Sequence, residues 1–153
     1  MSSEIPEDLW QAYCNTDLIF HIDGKGFRLI PDNNGDNQWP WPATIEQIAI
    51  ISAINPFSEP SGSNEIPVLQ ASMQTELENL NYTFLQCIGT DPSNEWQEES
   101  FLVLNPDEVH LSRLCHDFKQ YAYFLWTKDS WSVKSVVSSK VFRTNWNLVE
   151  TTR

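Results

Sequence analysis

An uninterrupted apolar stretch at residues 48–54 gives the clearest structural prediction in the sequence. Four of its seven residues are isoleucine, and its apolar positions do not alternate with polar ones. Such a run is typical of a strand buried on both faces, and β-branched side chains favour a strand over a helix. Asn55 and Pro56 follow directly. Because proline has no N–H and restricts the preceding residue to extended backbone, we expect the strand to end there.

The remaining pattern predicts further helices and strands around this stretch. Apolar residues at steps of three and four predict helices over 3–14, 64–80 and 105–118. Apolar, aromatic and β-branched runs predict strands over 18–22, 27–30, 82–88, 98–104, 121–127 and 131–142. We expect residues 31–44 to form a long loop and residues 143–153 to form a loose tail. We therefore expect residues 1–153 to form a single α+β domain with its core at 9–142, built from a mixed sheet of about six or seven strands and three helices.

Two predicted crossovers bring polar residues to one edge of this sheet. A helix between two strands makes those strands parallel, so 48–54 and 82–88 are expected to end at the same edge. By the same reasoning, 98–104 and 121–127 are expected to begin there. Ligand sites in open α/β sheets favour the carboxyl ends of strands, and a helix starting at residue 64 adds free N–H groups. The predicted binding residues at this edge are Asn55, Ser58, Asn64, Glu98 and Gln120.

Carboxylates near the same edge suggest a possible chemistry. Asp91 and Glu99 are candidates for a catalytic pair that performs acid–base or metal-assisted reactions. Glu98 and Glu99 point to opposite faces of a strand, so at most one of them faces a shared cleft. The alternative interpretation is structural: Asn55 ends a strand, Asn64 caps a helix, and Gln120 satisfies backbone groups in a loop.

Two tryptophans in the long loop are a second candidate for recognition. Trp39 and Trp41 stand in a Trp-Pro-Trp-Pro stretch. They either cover a pocket, where they would help to bind a ligand or a partner, or plug the end of the hydrophobic core. A flat apolar patch around them would favour a protein partner.

Composition narrows the function classes. The chain has 21 acidic and 9 basic residues, a formal charge of −12, which disfavours nucleic acid as a partner. It has no signal segment and no apolar run of membrane-spanning length, so a soluble cytoplasmic protein without membrane contact is expected. Three widely spaced cysteines predict reduced thiols. No nucleotide-binding or hydrolase motif occurs, and the spacing of His110, Cys115 and His116 does not favour a metal site, so no cofactor is predicted.

A series of short motifs spans about residues 9 to 125. They are Leu9-Trp10-Gln11-Ala12-Tyr13, Ile51-Ser52-Ala53-Ile54-Asn55-Pro56, Asn64 at a helix start, Gly89 with Asp91-Pro92, Trp96 with Glu98-Glu99-Ser100-Phe101-Leu102-Val103, and residues 118–120 with Ala122. In order and spacing they resemble a bacterial family of unknown function, DUF3293. The chain departs from the family pattern at Ile54 and Tyr121, and its loop at 31–42 is particular to it. The resemblance implies a small α+β domain and brings no known activity.

Two hypotheses about function follow. The first is a binding module that recognises a small molecule or a protein, through the polar sheet edge or the tryptophan loop. The second is a small enzyme that uses Asp91 and Glu99, with Asn64 and Gln120 orienting the substrate. The sequence does not decide between them.

Overall fold

A computed structural model describes residues 4–55 and 59–151 of the chain. The helices in these residues are α1 (Glu7–Cys14), α2 (Glu65–Asn79) and α3 (Glu108–Asp117). The strands are β1 (Asp17–Ile22), β2 (Lys25–Pro31), β3 (Gln47–Ile51), β4 (Phe84–Thr90), β5 (Gln97–Leu104), β6 (Ala122–Thr127), β7 (Trp131–Ser135), β8 (Val141–Thr144) and β9 (Trp146–Thr151). None of these helices has both the length and the apolar character that a membrane crossing requires. The three cysteines are free.

The strands form one sheet in the order β8-β7-β6-β3-β5-β4-β1-β2-β9, and every neighbouring pair is antiparallel. The predicted α+β fold with a mixed sheet of six or seven strands is therefore wrong, because the protein is mostly β. The crossover strands do share a direction, but a third strand lies between them. β5 separates β3 from β4, and β3 separates β5 from β6. The helical connections are long enough to skip one position in the sheet.

The sheet curves into a nearly closed barrel. Its two edge strands, β8 and β9, are separated in the chain only by Asn145, yet β8 pairs with β7 and β9 pairs with β2. This C-terminal segment thus connects the two edges of the sheet. Two predictions are corrected here: residues 131–142 form parts of two strands rather than one, and the expected loose tail at 143–153 contains β9.

The long loop fastens the junction between β8 and β9. The N–H of Asp32 donates to the carbonyl of Asn145 at 3.0 Å, and the N–H of Trp146 donates to Asn37 Oδ1 at 2.9 Å. Gly35 packs so closely that a Cβ at this position would overlap the backbone of Trp146. The loop therefore packs on the barrel wall and is hydrogen-bonded to Asn145 and Trp146.

Side chains on β3 are buried on both faces, as the apolar stretch predicted. Ile48 and Ile50 point into the barrel, where they join a cluster containing Trp126. Ala49 and Ile51 point outward. The outer face is covered by buried residues of α2 and α3, namely Met73, Leu77, Leu111, Leu114 and Cys115. β3 itself ends at Ile51, three residues earlier than expected.

Tryptophans fill the interior near the amino end of β3. Trp126, Trp131 and Trp146 are fully buried. The ring centroid of Trp39 lies 5.2 Å from that of Trp126, and the ring of Trp41 stacks on Phe20 at 6.0 Å. Both loop indoles are therefore partly buried against the interior cluster.

The start of α3 also differs from the prediction. Asp107, rather than Asn105, caps the helix by accepting a hydrogen bond from the Val109 N–H at 2.8 Å. Asn105 has a left-handed backbone, with φ of 50°, and its side-chain amide donates to the carbonyl of Thr44 at 2.8 Å. Asn105 thus ties the end of β5 to the segment before β3.

We predict that Trp146→Ala lowers the free energy of unfolding by about 3–5 kcal/mol, because it removes a fully buried indole. The substitution also removes the hydrogen bond from Trp146 Nε1 to the carbonyl of Thr127. Val149→Ala, in the same strand but 46% exposed, is the control and should change stability by less than about 1 kcal/mol. Urea denaturation measures both. Equal losses in the two variants would show that β9 is not part of the cooperative core.

Candidate functional site

A cavity of about 270 Å³ lies at the carboxyl end of β3, where β5 and β6 begin and α1 covers the barrel. We call it the barrel-end cavity. It is lined by Leu9, Ala12, Tyr13, Thr16, Leu18, Ile50, Asn55, Gly89, Trp96, Glu98, Ser100, Gln120, Phe124 and Trp131. Most of these side chains are apolar or aromatic, so the cavity is an apolar space with a small polar group at one side.

Helix α1 forms one wall of the barrel-end cavity. Glu7 and Asp8 stand in its first turn, where carboxylates favour the positive end of the helix dipole. Trp10 is buried in a cluster with Ala122 and Val133 and holds the helix on the barrel. Ala12 faces the cavity, and its small side chain leaves the space unfilled.

Strand β5 supplies the acidic group. Residues at alternate positions share a face, and Leu102 belongs to the interior cluster, so Glu98 and Ser100 also point inward. Glu99 points to the opposite face with Phe101, where it is exposed and accepts a hydrogen bond from Gln70 Nε2 at 3.3 Å. Strand register therefore selects Glu98 as the carboxylate that faces the cavity.

Asn55 positions the Glu98 carboxylate. Its Nδ2 donates to Glu98 Oε2 at 2.9 Å, while its Oδ1 accepts from the Ser61 N–H at 2.9 Å. The Asn55 backbone is left-handed, with φ of 55°, rather than extended as its position before Pro56 predicted. Asparagine tolerates this conformation better than most residues. Both ends of the amide are used, so the residue joins the loop after β3 to the site.

Gln120 joins the segments that precede β6 and follow β3. Its Nε2 donates to the carbonyl of Ile54 at 2.9 Å and to that of Phe118 at 3.2 Å. The residue is buried and lines the cavity. These hydrogen bonds hold the two segments together beside the cavity.

The electrostatics of the site centre on one carboxylate. Burial raises the pKa of Glu98 above its usual value, and hydrogen bonds from Asn55 and Ser52 partly oppose this shift. Tyr13 is the only other titratable side chain among the lining residues. Among residues 4–55 and 59–151, no lysine, arginine or histidine lines the cavity. A raised carboxylate pKa in a cavity is a frequent property of functional sites.

Asn64 and Asp91 do not line the cavity. Asn64 is exposed at the start of α2 and makes no side-chain cap hydrogen bond. Asp91 accepts hydrogen bonds from the N–H groups of Glu95 and Trp96, and a hydrogen bond from Ser93 is the main cause of its lowered pKa. These contacts organise the turn between β4 and β5. Ser58 lies outside the described residues.

Sequence reasoning missed the wall residues. The strongest indication of a cavity in the sequence was the alternation along β5. Glu98 and Ser100 lie on the same face of the strand as Leu102 and Leu104, which follow them. A polar pair at alternate positions of a buried strand indicates a polar interior at that level. The contribution of Ala12 and Tyr13 had no such indication, because an amphipathic helix does not reveal which surface it covers.

We predict that Glu98→Gln raises the melting temperature at neutral pH. The folded-state pKa of Glu98 is raised, so the unfolded chain ionises first as pH increases, and stability falls between the usual and the raised pKa. Above both values the loss is constant, and below both it is absent. The difference in melting temperature between the variant and the wild type should therefore shrink as pH drops from the raised pKa to the usual glutamate pKa, and it should vanish below the usual value.

Glu99→Gln is the matched control for this measurement, because it removes one charge from the exposed face of the same strand. Scanning calorimetry across a pH series compares the two variants. An unchanged melting temperature for Glu98→Gln at neutral pH would contradict the assignment of a destabilising buried carboxylate.

Comparison with known proteins finds a similarity over one segment of the chain. Residues 51–123, a little under half of the chain, match the model of a family described as a protein of unknown function, DUF3293. This segment runs from the end of β3 to the start of β6 and includes Asn55, Glu98 and Gln120. No curated protein and no solved structure was found to match the chain. The resemblance to the DUF3293 family is therefore confirmed over residues 51–123.

Proposed function

We propose that the protein binds a small organic molecule in the barrel-end cavity. The observation that carries this proposal is a space of about 270 Å³ with mostly apolar walls and a few polar side chains, Asn55, Glu98 and Gln120. Small-molecule sites typically combine apolar walls with a small number of placed polar groups. The volume lies near the lower limit of about 300 Å³ for such sites, so the ligand is small.

The position of Trp96 supports access from outside. Trp96 lines the cavity and remains 41% exposed, so it stands at the boundary between the cavity and solvent. The turn that carries it is held by Asp91 and by Arg28, whose Nη1 donates to Asn94 Oδ1 at 2.9 Å. A fixed entrance of this kind reduces the ordering that binding requires.

Recognition of a protein partner through Trp39 and Trp41 has less support. Both indoles pack on Trp126 and are partly buried, and Trp39 Nε1 donates to the carbonyl of Ile45 at 3.1 Å. Their apolar surface is used largely inside the molecule. These contacts favour the small-molecule proposal over the protein-binding one.

An enzyme that pairs Asp91 with Glu99 also has less support. The Asp91 carboxylate is engaged by backbone N–H groups of its own turn, and Glu99 lies on the outer face of β5. No hydrogen bond links the two residues in the described contacts. Any acid–base chemistry at this site would more naturally use Glu98, whose pKa is raised and which faces the cavity.

We predict that filling the cavity abolishes ligand binding. Ala12→Leu adds three carbon atoms to the wall formed by α1, so fragments that bind wild-type protein should lose affinity by at least about tenfold, the equivalent of 1.4 kcal/mol. A ligand-observed NMR screen of a small-fragment library measures the binding. Ala71→Leu, which makes the same change at an exposed position on α2, should retain it.

Circular dichroism establishes that both leucine variants are folded. The proposal fails if no fragment binds the wild type, or if the fragments that bind it also bind Ala12→Leu with equal affinity.

A further inference from the structure

Within the part of the chain that the structure describes, the carboxylate of the barrel-end cavity has no cationic partner. Glu98 accepts a hydrogen bond from the uncharged amide of Asn55, and no basic side chain stands among the described residues that line the cavity. The ion pairs found in the described residues use other carboxylates, those of Asp17, Glu108 and Glu7. A partly desolvated carboxylate without an opposite charge is unfavourable, and a bound cation would compensate it.

Four aromatic side chains line the same cavity as this carboxylate. Phe124 and Trp131 stack with ring centroids 5.1 Å apart, and Tyr13 meets Phe124 edge-on at 6.2 Å. Trp96 adds a fourth ring at the boundary with solvent. Aromatic faces carry negative electrostatic potential and attract cations, most strongly where water is excluded. A carboxylate and several aromatic rings around one small space form the usual environment for an organic cation.

A bare metal ion fits this environment poorly. Hard cations need several oxygen ligands, and most of the lining side chains are hydrocarbon or aromatic. No group of three or more histidine, cysteine, aspartate or glutamate side chains suited to a metal occurs in residues 4–55 and 59–151. The positive charge that neutralises Glu98 therefore belongs to a molecule that also has an apolar part.

Building on the proposed function, we propose that the barrel-end cavity binds a small organic ammonium ion. Its charged nitrogen donates hydrogen bonds to Glu98, and its apolar part lies against Tyr13, Phe124 and Trp131. The formal charge of −12 on the whole chain favours the approach of a cation. The narrow volume selects a ligand with one small ring or a short chain.

Three probes of nearly equal size test the charge preference. Benzylammonium, benzyl alcohol and benzoate are titrated into the protein by isothermal calorimetry at neutral pH. Benzylammonium should bind at least about tenfold more tightly than benzyl alcohol, because a charge-assisted hydrogen bond adds more than a neutral one. Benzoate should bind most weakly. Glu98→Gln should remove the preference for benzylammonium, and Glu99→Gln should retain it.

The pH profile gives a second readout. Of the residues that the structure describes, Glu98 from β5 and Tyr13 from α1 are the titratable side chains that line the cavity. Benzylammonium stays charged at acidic and neutral pH, so its affinity should fall where Glu98 takes up a proton. Burial places this fall at a higher pH than for an ordinary glutamate. The affinity of benzyl alcohol should not show the same fall.

The outcomes separate this inference from the proposed function. Equal affinity for benzylammonium and benzyl alcohol, with loss of both in Ala12→Leu, overturns the organic-cation assignment and leaves a small-molecule cavity. A preference that persists in Glu98→Gln overturns the assignment as well. If benzylammonium does not bind but other fragments bind in an Ala12-dependent manner, only the cation assignment fails. If neither benzylammonium nor any fragment binds, both proposals fail.

Discussion

The interior volume of the barrel is the constraint on which the other features depend. A barrel of about eight strands encloses a space that is either filled by side chains or able to hold one small ligand. One part of this interior is filled by the indoles of Trp39, Trp41, Trp126 and Trp146. At the carboxyl end of β3, the lining includes small residues, namely Ala12, Thr16, Gly89 and Ser100. The cavity is thus a consequence of side-chain size along the barrel, with α1 as its cover.

Strand directions were predictable from the sequence, but strand neighbours were not. A helix between two strands gives them the same direction, and this correctly placed Asn55, Glu98 and Gln120 at one end of the barrel. Which strand lies between them depends on distant pairing, such as that of Ile50 with Leu102. Local patterns contain little information about such pairing. The strand at Trp146 was missed because its burial arises only from contact with the opposite edge of the sheet.

The composition of the site was only partly predictable for the same reason. The sequence showed that Glu98 and Glu99 must face opposite ways, and only the register of β5 identifies which one faces inward. The sequence left open whether Trp39 and Trp41 cover a pocket or fill the core, and their ring contacts with Trp126 depend on packing that local patterns do not reveal. Asn64 was selected for its position at a helix terminus, but α2 packs on the outer face of the sheet, and Asn64 is exposed and does not line the cavity. Polar residue types indicated the end of the fold where Asn55, Glu98 and Gln120 line a cavity, and side-chain packing determines which other residues line it.

The connection made by β9 affects how the molecule acquires its structure. This strand pairs residues 26–31 with residues 146–151, so the contact closes a loop of more than a hundred residues. Contacts of such large sequence separation raise the contact order, and proteins dominated by them fold slowly. The sheet can assemble from its central hairpins first, but the interior stays open to water until β9 arrives. During synthesis, the apolar lining is therefore exposed until nearly all of these residues have been translated, which is the interval in which aggregation competes with folding.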